Sequence, residues 1–178
     1  GCHLHSHTKQ EASVSSEQCL CDDGFVEVPT AGGGGVQCVC TPGTTLTIDG
    51  CTPCGEGTYK PDDSNDPCTV CPMKRGTTAA VGAVNESQCI CEAGYYMTLE
   101  RLCVPCADVE GASCPVAGAS LVTLPLKVDY WRLSAHTTDV IDCTTVGVES
   151  TSSACVGGRD AGGDGYCAAN HTGALCSV

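Results

Sequence analysis

Aromatic residues are scarce in this chain: five Tyr, one Trp and one Phe among 178 residues. Leu, Ile, Val and Phe together make up about 18% of it, too little for an ordinary apolar core. Basic residues are few, with eight Lys and Arg against 21 Asp and Glu and a formal net charge of −13. That imbalance excludes a nucleic-acid binder, which needs a positive footprint. No apolar run reaches the length of a membrane-spanning helix; "SLVTLPLKV" is short and contains Pro125. Nucleophile-elbow, zinc-protease and phosphate-loop motifs are missing, and Ser134 with His136 makes no triad by sequence proximity alone. Enzymatic activity is therefore not expected. No secretory leader is visible and the chain does not start with Met, as expected of a mature product or a piece of something longer.

Cysteine is abundant, at 18 of 178 residues. A chain this acidic and this poor in apolar residues would read as disordered without it. Such density marks a disulfide scaffold, in which cross-links replace the missing core. The compartment implied is oxidising: extracellular, secreted or at a cell surface. One stretch, "CTPCGEGTYKPDDSNDPCTVC", has the C-x2-C-x13-C-x2-C spacing of a zinc ribbon, with Cys51, Cys54, Cys68 and Cys71 as ligands. Its pairs are interleaved with C-x-C pairs in a Gly- and Thr-rich chain, and this favours disulfides over zinc.

The C-x-C pairs repeat. "QCLCDDG", "QCVCTPG" and "QCICEAG" share the form Gln-Cys-(Leu/Val/Ile)-Cys-x-x-Gly, ending at Gly24, Gly43 and Gly94. A Gly three residues past the second Cys suits a tight turn with positive φ. Each C-x-C is followed by a C-x2-C in two places, Cys38/Cys40 to Cys51/Cys54 and Cys89/Cys91 to Cys103/Cys106, a period of about 50 residues. "CHLHSHTKQEASVSSEQC" aligns with "CPMKRGTTAAVGAVNESQC", so the chain is expected to open in mid-repeat.

The stretch from Cys51 through "CEAGYY" resembles the ephrin-receptor-like cysteine-rich repeat, a relative of EGF-like and tumour-necrosis-factor-receptor-like modules. Gly57, Tyr59, Pro72, Gly76, Gly94 and Tyr95 fall on its pattern. The likeness covers Cys51 to Cys106. It extends in part to Cys2 to Cys51, where the C-x2-C pairs before Cys38 are missing and "GGGG" (Gly32 to Gly35) intrudes. The tail, with "YWRLSAHTTDVIDC" and "GYCAANHTGALC", resembles cysteine-rich segments that follow such repeats in very large surface proteins of algae and other protists.

The resemblance implies a small disulfide-rich fold of short β-strands and loops. Tandem EGF-like or ephrin-receptor-like modules would form an elongated rod, with a compact C-terminal unit. Three parts are expected: 1–51, partial repeats; 52–106, the full repeat; and 107–178, a cysteine-rich unit closing around Trp131. Bridges implied by the resemblance are Cys54–Cys71, Cys68–Cys89, Cys91–Cys103, Cys40–Cys51, Cys167–Cys176, Cys2–Cys19 and Cys21–Cys38. Cys106, Cys114, Cys143 and Cys155 keep three possible pairings. Strands are expected near Cys19–Val28, Val36–Cys40, Thr44–Ile48, Gln88–Cys91 and Tyr95–Leu99, with a larger hairpin in "GASLVTLPLKVDYWRLS" and very little helix.

Candidate site residues each have a bland alternative. His3, His5 and His7 alternate, so an extended strand would turn all three to one face for a transition metal; a polar loop is the simpler reading. Asp62, Asp63 and Asp66, and Asp160 with Asp164, are acidic turns with a weak possibility of calcium, and no other cofactor is expected. Tyr130 and Trp131 are a ligand platform or, more simply, a core anchor. Asn85 in "NES" and Asn170 in "NHT" are N-glycosylation sequons. The preferred function is an extracellular structural or adhesive glycoprotein, a subunit of a surface filament or matrix. Its partners would be copies of itself or other extracellular glycoproteins, with covalent glycans, no nucleic acid and no membrane span. The alternative is a receptor ectodomain that binds a protein ligand.

Overall fold

A computed structural model describes residues 4–8, 19–30, 35–145, 153–159 and 163–177. The chain divides into two compact units: Gly1–Cys71 with Ala80–Cys89, and Pro72–Ala79 with Ile90–Val178.

The first unit is a series of two-stranded pieces. β1 (Ser6–Thr8) runs antiparallel to β2 (Cys19–Cys21). β3 (Phe25–Pro29) pairs with β4 (Val36–Cys40) in the register Phe25↔Cys40 to Pro29↔Val36. β5 (Thr44–Thr47) and β6 (Gly50–Pro53) form a tight hairpin, and β7 (Thr58–Tyr59) pairs with β8 (Thr69–Val70). Two-stranded hairpins are marginal alone. Here cystines hold them: Cys38, Cys40, Cys54, Cys71 and Cys89 are buried, and among the described residues of this unit Val39 is the one buried branched aliphatic.

The second unit begins with β9 (Gly76–Thr78), which pairs with β10 (Cys89–Cys91), whose last two residues belong to this unit. β11 (Tyr95–Met97) is the centre of a three-stranded sheet, antiparallel to β12 (Cys103–Pro105) and parallel to β13 (Ala119–Ser120). β14 (Tyr130–Arg132) and β15 (Val140–Asp142) pair with Trp131 opposite Ile141. A contiguous core joins Tyr96, Val109, Leu121, Leu124, Leu126, Trp131 and Tyr166 to cystine sulfurs. Among the described residues, helix is confined to 3₁₀ turns of three or four residues.

The expected hairpin across Gly118 to Ser134 does not form. Its start becomes β13 beside β11, and its end becomes β14 beside β15. Pro125 has no N–H to give to a ladder, and Leu124 and Leu126 on either side of it turn into the core. Leu126 then exchanges backbone hydrogen bonds with Gly158, both 2.9 Å, in an isolated bridge. The expected long strand from Cys19 is likewise two strands, β2 and β3, separated by the turn that ends at Gly24.

The three repeat glycines adopt the expected left-handed backbone, with φ of 86° at Gly24, 76° at Gly43 and 87° at Gly94. Gly43 is also sterically fixed: a Cβ there would lie 2.4 Å from the carbonyl oxygen of Gly82.

Eight bridges are described: Cys21–Cys38, Cys40–Cys51, Cys54–Cys68, Cys71–Cys89, Cys91–Cys103, Cys106–Cys114, Cys143–Cys155 and Cys167–Cys176. Each joins a cysteine to the next one along the chain. Cys19 is disulfide-bonded as well; its expected partner, Cys2, lies outside the described residues. The implied pairs Cys54–Cys71 and Cys68–Cys89 are corrected to Cys54–Cys68 and Cys71–Cys89. Cys68 and Cys71 flank the two residues of β8 and look equivalent in sequence; the way the surrounding loops bring the backbone together sets which partner each meets. Cys68 meets Cys54 at a Cα–Cα distance of 5.7 Å, and Cys71 meets Cys89 at 5.8 Å. The interlocked order of an EGF-like knot is replaced by a chain of separate loops.

Candidate functional site

The zinc-ribbon spacing resolves into cystine. Cys51, Cys54, Cys68 and Cys71 are bonded to Cys40, Cys68, Cys54 and Cys89. A sulfur in a disulfide has no thiolate to offer a metal.

The loop between Cys54 and Cys68 is organised by a residue that sequence reading passed over. Lys60 is 2% exposed, and its Nζ donates to the carbonyl oxygens of Cys40, at 3.2 Å, and Ser64. The backbone N–H of Ser64 donates to that same Cys40 oxygen at 3.1 Å. Asn65 completes the clamp: its Oδ1 accepts from the N–H of Cys40 at 3.0 Å, and its Nδ2 donates to the oxygen of Cys38 at 3.4 Å. Ser64 and the side chains of Lys60 and Asn65 thus hold this loop against the end of β4 and satisfy backbone groups of Cys38 and Cys40. Asp62, Asp63 and Asp66 remain exposed around this clamp. Among the described residues no group of three His, Cys, Asp or Glu is placed to hold a metal ion.

His5 and His7 do not continue one extended face. His5 has a left-handed backbone, φ 59°, which breaks the extended alternation, and its ring stacks on Phe25 with centroids 4.5 Å apart. The Nδ1 of His7 lies 2.8 Å from the Oδ1 of Asp22, and His3 is outside the described residues. Asp160 is also outside them. Asp164 accepts the backbone N–H of Gly173 at 2.6 Å and so pins the loop closed by Cys167–Cys176.

Trp131 is a core anchor. It is 3% exposed, with its Nε1 donating to the oxygen of Gly163 at 3.0 Å, and Tyr130 packs over Gly111. The residue beside it, Arg132, is fully buried. Its Nε donates to the Tyr166 hydroxyl at 2.8 Å, and its terminal nitrogens donate to the oxygens of Leu121 at 2.6 Å and Val122 at 2.8 Å. The Tyr166 hydroxyl in turn donates to the oxygen of Leu124 at 3.2 Å. Five guanidinium donors in a rigid fork suit such a cage of carbonyls. An alternating apolar pattern in "YWRLS" would place Arg132 outside, so no sequence signal marked it.

Among the described residues, two groups titrate away from their ordinary range. Burial, with the nearby Asp108 charge, raises the pKa of the Tyr96 phenol. The Thr144 side chain and backbone, donating to the Asp142 carboxylate at 2.6 Å and 2.8 Å, lower that of Asp142.

Both sequons are exposed. Asn85 caps the 3₁₀ turn Glu86–Gln88, whereas Asn170 sits in a left-handed turn, φ 68°, inside the Cys167–Cys176 loop. Disulfides in this number require an oxidising compartment. Among the described residues no helix is long and apolar enough to cross a membrane.

Residues 43–89, which contain Lys60, Ser64 and Asn65 of the clamp and the Asn85 cap, match the family model described as "Tyrosine-protein kinase ephrin type A/B receptor-like". Ephrin type-B receptor 2 of Coturnix japonica is 31% identical over 106 residues, 58% of this chain and 10% of that protein. Cysteine repeat modular protein B of Toxoplasma gondii is 41% identical over 83 residues, 44% of this chain and 1% of that protein. Cysteine repeat modular protein A of the same organism is 33% identical over 104 residues, 57% of this chain and 3% of that protein. The chain therefore spans a tenth or less of each of these relatives. It carries ephrin-receptor-like cysteine-rich repeats, and the likeness to the receptors is to these repeats.

Proposed function

We propose that the chain is a structural or adhesive part of an extracellular glycoprotein, built of disulfide-closed repeats and assembled into a surface filament or matrix. The carrying observation is the chain of cystines, each closing its own short loop, with little apolar surface buried per repeat in the first unit. Repeats of this kind gain order locally and can be added in series, which suits heterologous association between copies or with other glycoproteins. The likeness to two proteins named as cysteine repeat modular proteins supports this reading. Glycans at Asn85 and Asn170 belong to it.

A second reading, a receptor ectodomain that binds a protein ligand, is favoured by the likeness to an ephrin type-B receptor. Electron microscopy of native, unreduced material separates the two. Filaments with a regular subunit spacing are expected. Dispersed single particles at all concentrations would remove the filament reading and favour the receptor module.

A further inference from the structure

We propose that Asn85 carries an N-linked glycan and that the capping box around it, beyond the sequon itself, prepares it for glycosyl transfer. The inference rests on the extracellular reading above.

Asn85 is exposed and extended, with φ −147° and ψ 145°. Its Oδ1 accepts the backbone N–H of Ser87 at 2.8 Å. Gln88 answers: its Oε1 accepts the N–H of Asn85 at 3.0 Å and that of Val84 at 2.7 Å. The N–H of Gln88 donates to the oxygen of Asn85 at 3.0 Å and closes the turn. A carboxamide is planar, so holding Oδ1 on the turn directs Nδ2 away from it. The hydrogen bond accepted by Oδ1 also stabilises the negative charge that gathers on that oxygen as Nδ2 gives up a proton to a base, which makes Nδ2 a better nucleophile. Every bond in the set lies within residues 84–88, so the cap draws on no distant part of the chain.

In the transfer, Nδ2 attacks the anomeric carbon of an oligosaccharide carried on a lipid pyrophosphate. The N–C bond forms and the C–O bond to the pyrophosphate breaks. The lipid pyrophosphate leaves, and the amide proton passes to a base of the transferase. Oδ1 keeps its lone pairs, so the cap survives modification.

Asn170 is the internal control. Gly173 stands three residues after it, where Gln88 stands after Asn85, and a glycine has no side chain to return the bond.

The test is peptide mapping of the secreted chain, treated with a peptide N-glycosidase in heavy-oxygen water. The Asn85 peptide is expected to convert to labelled Asp. Asn85→Gln and Ser87→Ala abolish that label. The discriminating variant is Gln88→Ala, which leaves the sequon intact: occupancy at Asn85 falls while that at Asn170 is unchanged, and Gln88→Glu, which keeps an acceptor oxygen, restores it. Unchanged occupancy in Gln88→Ala overturns the role of the cap. A bare Asn85 in material whose cystines are closed overturns the proposal and leaves the extracellular reading standing. A bare Asn85 with free thiols throughout brings down both.

Discussion

In the first unit the buried apolar atoms are mainly those of Cys38, Cys40, Cys54, Cys71 and Cys89, with Val39 and Ala83 between them. In the second, Tyr96, Leu121, Leu124, Leu126, Trp131 and Tyr166 pack on one another as well as on cystine. Among the described residues, each unit also buries one cation on backbone oxygens, Lys60 in the first and Arg132 in the second. The difference teaches where order comes from when apolar residues are scarce. The first unit relies on restricting the unfolded chain, since each bridge closes a short loop, such as the one between Cys54 and Cys68, 14 positions apart. The second adds hydrophobic burial and a polar cage to the same device.

Mild reduction is the largest test of this contrast. Loss of a native bridge from a small module costs about 2–5 kcal/mol, and the first unit has little else. Hydrogen exchange is expected to lose protection in residues 36–60 while the emission of Trp131 still reports a buried indole. The opposite order would break the comparison.

Removal of the buried cations sharpens it. Arg132→Ala strips donors from the oxygens of Leu121 and Val122 and from the Tyr166 hydroxyl, and is expected to cost about 3 kcal/mol or more. Its effect should stay within the second unit, read as lost exchange protection there alone. Lys60→Ala leaves the oxygens of Cys40 and Ser64 without that donor and is expected to cost about 1–3 kcal/mol, confined to the first unit.

Two glycines give a smaller pair of effects. At Gly43 a Cβ meets the backbone oxygen of Gly82 at 2.4 Å; at Gly111 it meets the ring of Tyr130 at 2.3 Å. A half-buried ring can swing away, whereas the Gly82 backbone cannot. Gly43→Ala is expected to cost about 2 kcal/mol and Gly111→Ala about 1 kcal/mol, by denaturant titration followed in each unit.

The smallest effects are in pH, and both belong to the second unit. The pKa of Asp142 is lowered in the fold, so its contribution is present at neutral pH and is lost as pH falls through that lowered value. Asp142→Asn should flatten this acid limb. The pKa of Tyr96 is raised, so stability is full below the ordinary phenol value of about 10 and declines as pH rises beyond it. Tyr96→Phe should flatten that alkaline limb, measured against the unsubstituted chain at matched times.

Some of this was legible in the amino-acid order. The turns at Gly24, Gly43 and Gly94 were, because a C-x-C strand end followed by a positive-φ glycine is a local arrangement. The pairs Cys21–Cys38, Cys40–Cys51, Cys91–Cys103 and Cys167–Cys176 were implied by the family resemblance and are formed. Cys54, Cys68, Cys71 and Cys89 were assigned to the wrong partners, because two cysteines three residues apart look alike in sequence and which sulfur each meets depends on how the loops between them fold. Lys60 and Arg132 gave no signal at all. A basic residue in a polar loop and another beside a tryptophan look like solvated side chains until the carbonyls around them are known.

By itself the sequence determined an oxidised, disulfide-rich chain of short strands, because cysteine density, charge and glycine spacing act over a few residues, and its motifs resembled ephrin-receptor-like repeats. The tertiary structure alone decided that Cys54 meets Cys68 and Cys71 meets Cys89, that Pro125 splits the Leu-rich segment between two sheets, and that Lys60 and Arg132 lie inside. Those outcomes depend on how loops and strands come together and on backbone oxygens left open by distant turns, which no short stretch of sequence encodes.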